Sequence, residues 1–277
     1  MERKIVKRLR KWLRRILREV YYFLIDTFDS ALGRRDELTP PRRMVFVGDG
    51  NFRAIGEEFL RYFTELGKFK PNEGVLDVGC GVGRIAVPLT RFLDKDGSYE
   101  GFDIVKTGTD WCNNNISRKF PHFHFQHADI LNRAYNPKGK LDAAKWRFPY
   151  QSGTFDFVFL TSVFTHMLPE AMENYFSEIS RVLKRDGRCL ITFFLLTAES
   201  VGLVDQRKST LDFKYAFGKY RVIDEDAPES AIAYAEQYIR SLYQKHDMMI
   251  MEPVYYGSWC GRQDFLSYQD IIVAIRT

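Results

Sequence analysis

The residues with the clearest capacity for chemistry are glycines. In Val75-Leu76-Asp77-Val78-Gly79-Cys80-Gly81-Val82-Gly83-Arg84, an apolar run passes into a turn with glycine at every second position, then into a helical pattern. Such a strand, turn and helix let a ligand approach bare main chain at a helix N-terminus. A dinucleotide fingerprint would place glycine or alanine one position later, where Arg84 stands. Alone, the spacing says no more than a tight turn. Asp103 closes the next apolar run, 20 residues after Gly83, where a carboxylate accepts both hydroxyls of a ribose. Asp129 closes the third, in His127-Ala128-Asp129-Ile130, at a position suited to an adenine edge. In a doubly wound sheet the carboxyl ends of neighbouring strands share one crevice, so these three features line one adenosine-sized groove.

His166, in Thr161-Ser162-Val163-Phe164-Thr165-His166-Met167, follows the fourth apolar run and is expected to face the same crevice. An imidazole titrates near neutrality, which makes it the candidate base. The plainer reading, a histidine that fixes its loop by hydrogen bonds, carries more weight on sequence alone. No metal is expected. His122 and His124 share one face of a strand and His127 points to the other, so the three do not converge. Tyr255-Tyr256-Gly257-Ser258-Trp259-Cys260-Gly261-Arg262 offers aromatics that wall a pocket or, more simply, pack a loop against the sheet.

The elements that must position these residues alternate. Strands are expected near 74–79, 98–103, 123–128, 155–161 and 188–196, separated by helices near 83–93, 108–118 and 170–184. Short apolar runs alternating with amphipathic helices form a parallel sheet covered on both faces. A helix from Phe52 to about Leu66 precedes them, with Gly67 suited to its C′ position. Beyond Leu196 the pattern lapses into a polar stretch; a helix near 229–245 and strands near 248–256 and 268–276 close the chain.

At 277 residues, 45% hydrophobic and 28% charged, the chain is globular rather than fibrous or disordered. Four cysteines without a CxxC pair exclude a disulfide scaffold or zinc ribbon and fit a reducing compartment. No apolar run reaches the ~18–20 residues of a membrane span, and charges interrupt every apolar stretch of Met1 to Val20, unlike a secretory signal. The net charge of +5 is local. Residues 1–35 carry 11 Lys/Arg against 4 acids, or +7, which leaves −2 on the remaining 242. A near-neutral body argues against nucleic acid. In the basic segment Ile5, Leu9, Trp12, Leu13, Ile16, Leu17, Val20, Tyr21 and Leu24 form one apolar stripe. Such a helix lies on an anionic membrane through residues 1–25, or caps the domain with its stripe inward; both need the same pattern.

From Val75 to Leu196 the sequence resembles the class I S-adenosylmethionine-dependent methyltransferases. Val75 to Gly83 is similar to their first motif, and Asp103 and Asp129 to their ribose-side and adenine-side acids. Phe148-Pro149-Tyr150 with Gly153-Thr154-Phe155-Asp156-Phe157-Val158 resembles the lead into their fourth strand, and Val182-Leu183-Lys184-Arg185-Asp186-Gly187-Arg188 the turn before their fifth. The resemblance implies an α/β doubly wound, seven-stranded, mostly parallel sheet, its last strand antiparallel, with helices on both faces and an N-terminal helical extension. It implies S-adenosylmethionine as cofactor, held by Asp77, Gly79, Gly81, Gly83, Asp103, Ile104, Asp129, Ile130 and Thr161. The expected organisation is a basic helix and linker over 1–38 and a methyltransferase domain over 39–277, with insertions near 132–146 and 197–232. The expected activity is methyl transfer to a small-molecule or lipid-like acceptor, at oxygen; the rival is a non-catalytic cofactor-binding protein docked on membranes or partners. The expected location is the cytoplasm, including the inner membrane face.

Overall fold

The computed structural model describes residues 20–29, 32, 35–46 and 50–277. Most of the basic helix expected over residues 1–25 lies outside the described residues; residues 20–29 are helical (α1) and lead to a 3-10 turn at Arg42–Met44. Then come α2 (Phe52–Glu65), β1 (Gly74–Val78), α3 (Ala86–Phe92), β2 (Ser98–Asp103), α4 (Lys106–Cys112), β3 (Phe123–His127), β4 (Phe155–Leu160), α5 (Pro169–Val182) and β5 (Leu183–Phe193). The rest is β6 (Leu195–Leu196), α6 (Ala198–Asp205), β7 (Tyr215–Ala216), β8 (Tyr220–Val222), β9 (Ile232–Ala235), α7 (Glu236–Lys245), β10 (Met248–Ile250) and β11 (Asp270–Arg276).

Seven strands form one sheet in the order β10-β11-β5-β4-β1-β2-β3. The five from β5 to β3 are parallel, and β11 runs antiparallel to both its neighbours. Both faces are covered, which explains the near-continuous apolar runs. Val158 and Leu160 of β4 pack with Phe176 of α5 and Leu242 of α7. The alternate residues Phe157 and Phe159 pack on the other side with Phe63 of α2 and Leu89 of α3. The strand order reverses between β1 and β4, so their carboxyl ends open a crevice there.

Several expectations are corrected. The stretch after Leu196 holds α6 and most of a second sheet, β6-β9-β8-β7. Its strands are two to four residues long, too short to show a period. The helix expected from 229 begins only at Glu236, because Ile232-Ala233-Tyr234 is buried on both faces as β9 and shows no alternation. β5 starts at Leu183, directly after α5. The strand expected over 248–256 ends at Ile250, near Pro253, which has no N–H to give a ladder. Gly67 is not the left-handed cap; Lys68 takes that conformation at φ 53°. A Cβ on Gly67 would lie 2.6 Å from the Phe157 ring, so glycine lets α2 close onto β4.

The two sheets meet at Asp270, fully buried at the start of β11. Its carboxylate accepts hydrogen bonds from Leu195 N–H and Gly257 N–H, both at 2.6 Å, and from the Trp259 indole at 2.7 Å. Burial pushes its pKa up to about 6, against the pull of those donors and of Arg262.

Candidate functional site

The turn after β1 is held open by its own main chain. Gly79, Gly81 and Gly83 have φ of 89°, 56° and 75°, and Gly79 and Cys80 donate N–H to the Phe102 carbonyl of β2. A Cβ on Gly79 would meet Val163 Cγ2 at 2.5 Å, so a side chain there would be strained and would also collide. Gly83 serves a different purpose. A Cβ on it would meet Ile116 Cδ1 at 2.7 Å, so it permits the close approach of the segment after α4.

Two adjoining cavities open at this edge of the sheet. The larger, about 630 Å³, is lined by Asp77, Gly79, Gly81, Arg84, Ser162 and Gln269, among others. The smaller, about 110 Å³, is lined by Asp103, Ile104, Phe46, Asn132, Met167 and Tyr175, among others. Gly79, Tyr135, Thr161, Ser162 and His166 border both, so the two form one cleft. The structure thus brings together Asp77, Gly79, Gly81, Asp103, Ile104, Thr161 and His166. Gly83, Asp129 and Ile130 do not line either cavity. Asp129 Oδ1 accepts from the Asn136 amide at 3.2 Å, and its carbonyl accepts Lys140 and Leu141 N–H. Ile130 is buried in the core.

Each acid in the cleft has a defined setting. Asp103 Oδ2 accepts Gly81 N–H and Oδ1 accepts Val105 N–H, both at 2.8 Å. Burial raises its pKa and these bonds oppose the rise. Asp77 is 1% exposed; its Oδ2 accepts the Tyr99 hydroxyl at 2.6 Å, and its Oδ1 is buried without a partner. Burial pushes its pKa up to about 8, with the Tyr99 bond pulling down and the charge of Asp103 pushing up. An orphaned carboxylate oxygen beside a cavity suits a positively charged group.

His166 sits in a 3-10 turn, Phe164–His166, after β4. Its Nδ1 lies 2.9 Å from the Glu229 carbonyl oxygen. A carbonyl only accepts, so Nδ1 carries the proton and Nε2 of the neutral ring is the acceptor. Burial lowers its pKa, opposed by backbone contacts with Glu229 and Ser230. The Tyr135 ring stands edge-to-face at 5.4 Å. The Asn132 amide bonds the Glu229 carboxylate at 3.0 Å, and Arg133 N–H reaches its other oxygen at 3.3 Å. The 132–136 loop and the 228–230 turn therefore close on each other over His166. Glu229 carried no sequence signal, because it lies in an isolated turn within the small sheet. Ser162 shows only in the backbone, with φ of 60° and Oγ bonded to Gln269 at 3.0 Å. Among the described residues no three His, Cys, Asp or Glu form a metal site, and His124 instead pairs with Glu100 at 2.8 Å.

Residues 76–191 match the family described as "Methyltransferase domain". The chain is 25% identical over 235 residues to "Phosphoethanolamine N-methyltransferase 3" of Arabidopsis thaliana, covering 81% of this chain and 42% of that protein. It is 28% identical over 134 residues to "Sterol 24-C-methyltransferase erg6" of Schizosaccharomyces pombe, covering 48% and 30%. The chain spans less than half the length of these curated relatives. Its fold matches that of magnesium protoporphyrin IX methyltransferase from Synechocystis PCC 6803 with bound SAH: TM-score 0.52, 16% identity, 92% of this chain and 99% of that one.

Proposed function

We propose that the chain is a class I S-adenosylmethionine-dependent methyltransferase that methylates an oxygen of a small or lipid-like acceptor beside His166; the match of residues 76–191 to a methyltransferase domain supports this reading. The cleft's own chemistry fits the cofactor. An open glycine turn admits it to main chain, and the partnerless Asp77 oxygen suits its positive charge. Asp103 beside Gly81 is placed for its ribose hydroxyls. Bound there, the cofactor supplies a methyl group already activated on a sulfonium.

The chain's part is to align and to deprotonate. Thr161, Ser162 and Tyr135 border both cavities and would hold the acceptor in line, which can contribute up to about 7–11 kcal/mol. His166 Nε2 would take the acceptor hydroxyl's proton as the oxygen–methyl bond forms. The neutral tautomer imposed by the Glu229 carbonyl is the observation that carries this reading. The relatives' names include an N- and a C-methyltransferase, so the choice of oxygen rests on His166 and not on them.

Labelled cofactor incubated with phenols, quinols, sugars and lipid extracts should yield an O-methylated product. Tight cofactor binding with no transfer to any of them would favour the non-catalytic rival. Calorimetry should show binding of S-adenosylmethionine and S-adenosylhomocysteine but not NAD. Asp103→Ala should weaken that binding by about 1–3 kcal/mol, because it removes a ribose acceptor and strands the Gly81 and Val105 N–H groups. Unchanged affinity in Asp103→Ala would remove it from the cofactor site.

A further inference from the structure

Few side chains stand where cofactor and acceptor must meet. Gly79, Tyr135, Thr161, Ser162 and His166 line both cavities of the cleft. Glycine offers no side chain, Ser162 Oγ is bonded to Gln269 at 3.0 Å, and His166 is fixed by the Glu229 carbonyl. Tyr135 contributes a second ring, which neither alignment nor deprotonation requires.

The local chain holds that ring in place. Asn132 and Asn136 close a short loop through two main-chain bonds, at 2.9 and 3.2 Å. Asn132 Oδ1 accepts Ala134 N–H and Tyr135 N–H, both at 3.0 Å, and the Asn136 amide donates to the Ile130 carbonyl at 3.0 Å. Tyr135 therefore stands on a backbone tied at both ends. Its ring is nearly perpendicular to the His166 imidazole, at 80° and 5.4 Å between centroids, and lies 6.5 Å from Phe46. Burial pushes the phenol pKa up, with the charge of Asp103 adding to the rise, so the ring stays neutral.

Chemistry selects the group this ring receives. S-adenosylmethionine carries an ammonium and a sulfonium. The ammonium donates hydrogen bonds and suits a carboxylate such as Asp77, which borders the larger cavity but not the smaller. The sulfonium has no hydrogen on its charged atom, and its charge is spread over the adjoining carbons. The electron-rich face of an aromatic ring attracts such a cation. Its methyl group has to lie beside the acceptor and His166, where Tyr135 stands, and the neutral His166 ring adds no repulsion. We propose that the Tyr135 ring binds the sulfonium of S-adenosylmethionine through a cation–π contact. This role rests on the methyl-transfer reading and deepens it. Transfer leaves a neutral thioether, so the same ring distinguishes the charged cofactor from its spent product and favours release of the latter.

Calorimetry with S-adenosylmethionine and S-adenosylhomocysteine tests the contact without any acceptor. Tyr135→Leu keeps an apolar side chain for the methyl group but removes the ring. It should weaken S-adenosylmethionine about 5–30-fold more than S-adenosylhomocysteine. Tyr135→Phe should keep the wild-type ratio within about twofold. Tyr135→Phe with increasing ring fluorination should lower S-adenosylmethionine affinity stepwise and leave S-adenosylhomocysteine unchanged, because fluorine withdraws charge from the ring face. Thermal melts reveal whether Tyr135→Leu folds; if it does not, the fluorinated series, which keeps the ring's size, decides. Equal weakening of both ligands in Tyr135→Leu, or a flat fluorinated series, overturns the proposal. So does a loss in Tyr135→Phe as large as in Tyr135→Leu, which would assign the contact to the hydroxyl. Should the wild-type protein bind neither ligand, the methyl-transfer reading fails and the sulfonium contact falls with it.

Discussion

With His166→Ala, kcat is expected to fall by about 10²–10⁴-fold while cofactor affinity changes little, the range a positioned general base contributes. The geometry is specific about why. Nδ1 donates to the Glu229 carbonyl at 2.9 Å, so the ring cannot turn without breaking that bond, and its remaining nitrogen is the acceptor. Burial holds the imidazole neutral, with its pKa below the ordinary 6.5. The acid limb of the kcat profile should therefore lie lower than for a free histidine, and activity should stay flat through neutrality. Glu229→Ala tests the frame around the base. It leaves the carbonyl in place but frees the loop held through Asn132 and Arg133. It should raise the acceptor's KM more than it lowers kcat. Should His166→Ala keep full kcat and lose only thermal stability, the histidine is structural and methyl transfer proceeds by alignment alone.

What the sequence made legible follows from which forces act locally. The glycine turn was readable because its backbone demands no side chain at Gly79, whatever packs around it. The parallel sheet was readable because strands buried on both faces must be apolar throughout, as in Phe155–Leu160. Contacts set by distant residues were not readable. Asp129 stands just past the end of β3 as expected, but its carboxylate is engaged by Asn136 of the following loop. Glu229 meets Asn132 across 97 positions and His166 across 63. The small sheet is assembled from strands of two to four residues that pack with Phe194, Phe213 and Trp259 through Ala233 and with the main core through Leu195, Val222, Ile232 and Tyr234. The apolar stripe through Tyr21 and Leu24 was visible in the sequence, yet its direction depends on where Asp26 finds the Arg42 N–H.

Binding of S-adenosylmethionine is expected to release up to one proton per site at neutral pH, from Asp77. Without a cation beside it, this carboxyl has a pKa pushed up to about 8, because burial penalises the ion more than the Tyr99 hydroxyl stabilises it. It is therefore mostly protonated at pH 7, with Oδ1 unpartnered. A cationic ligand in the cavity that Asp77 lines would favour the carboxylate and expel the proton. Linkage then fixes the sign: affinity should weaken as pH falls below about 8, by at most about tenfold per unit. The cofactor-free protein should show the opposite dependence. A carboxyl with a raised folded pKa contributes stability that is full below its unfolded value, near 3.8, and is lost as pH rises toward about 8. Asp270, pushed up to about 6, acts in the same direction. Calorimetry in two buffers of different ionisation enthalpy counts the protons directly, and thermal melts of the free protein across the same pH range report the second effect. Asp77→Asn should abolish the proton release, flatten the affinity profile and leave in the melts only the smaller loss that Asp270 contributes below about pH 6, since a neutral amide cannot titrate. If the wild-type protein gives equal heats in both buffers and a pH-independent Kd, Asp77 does not meet the cofactor's charge.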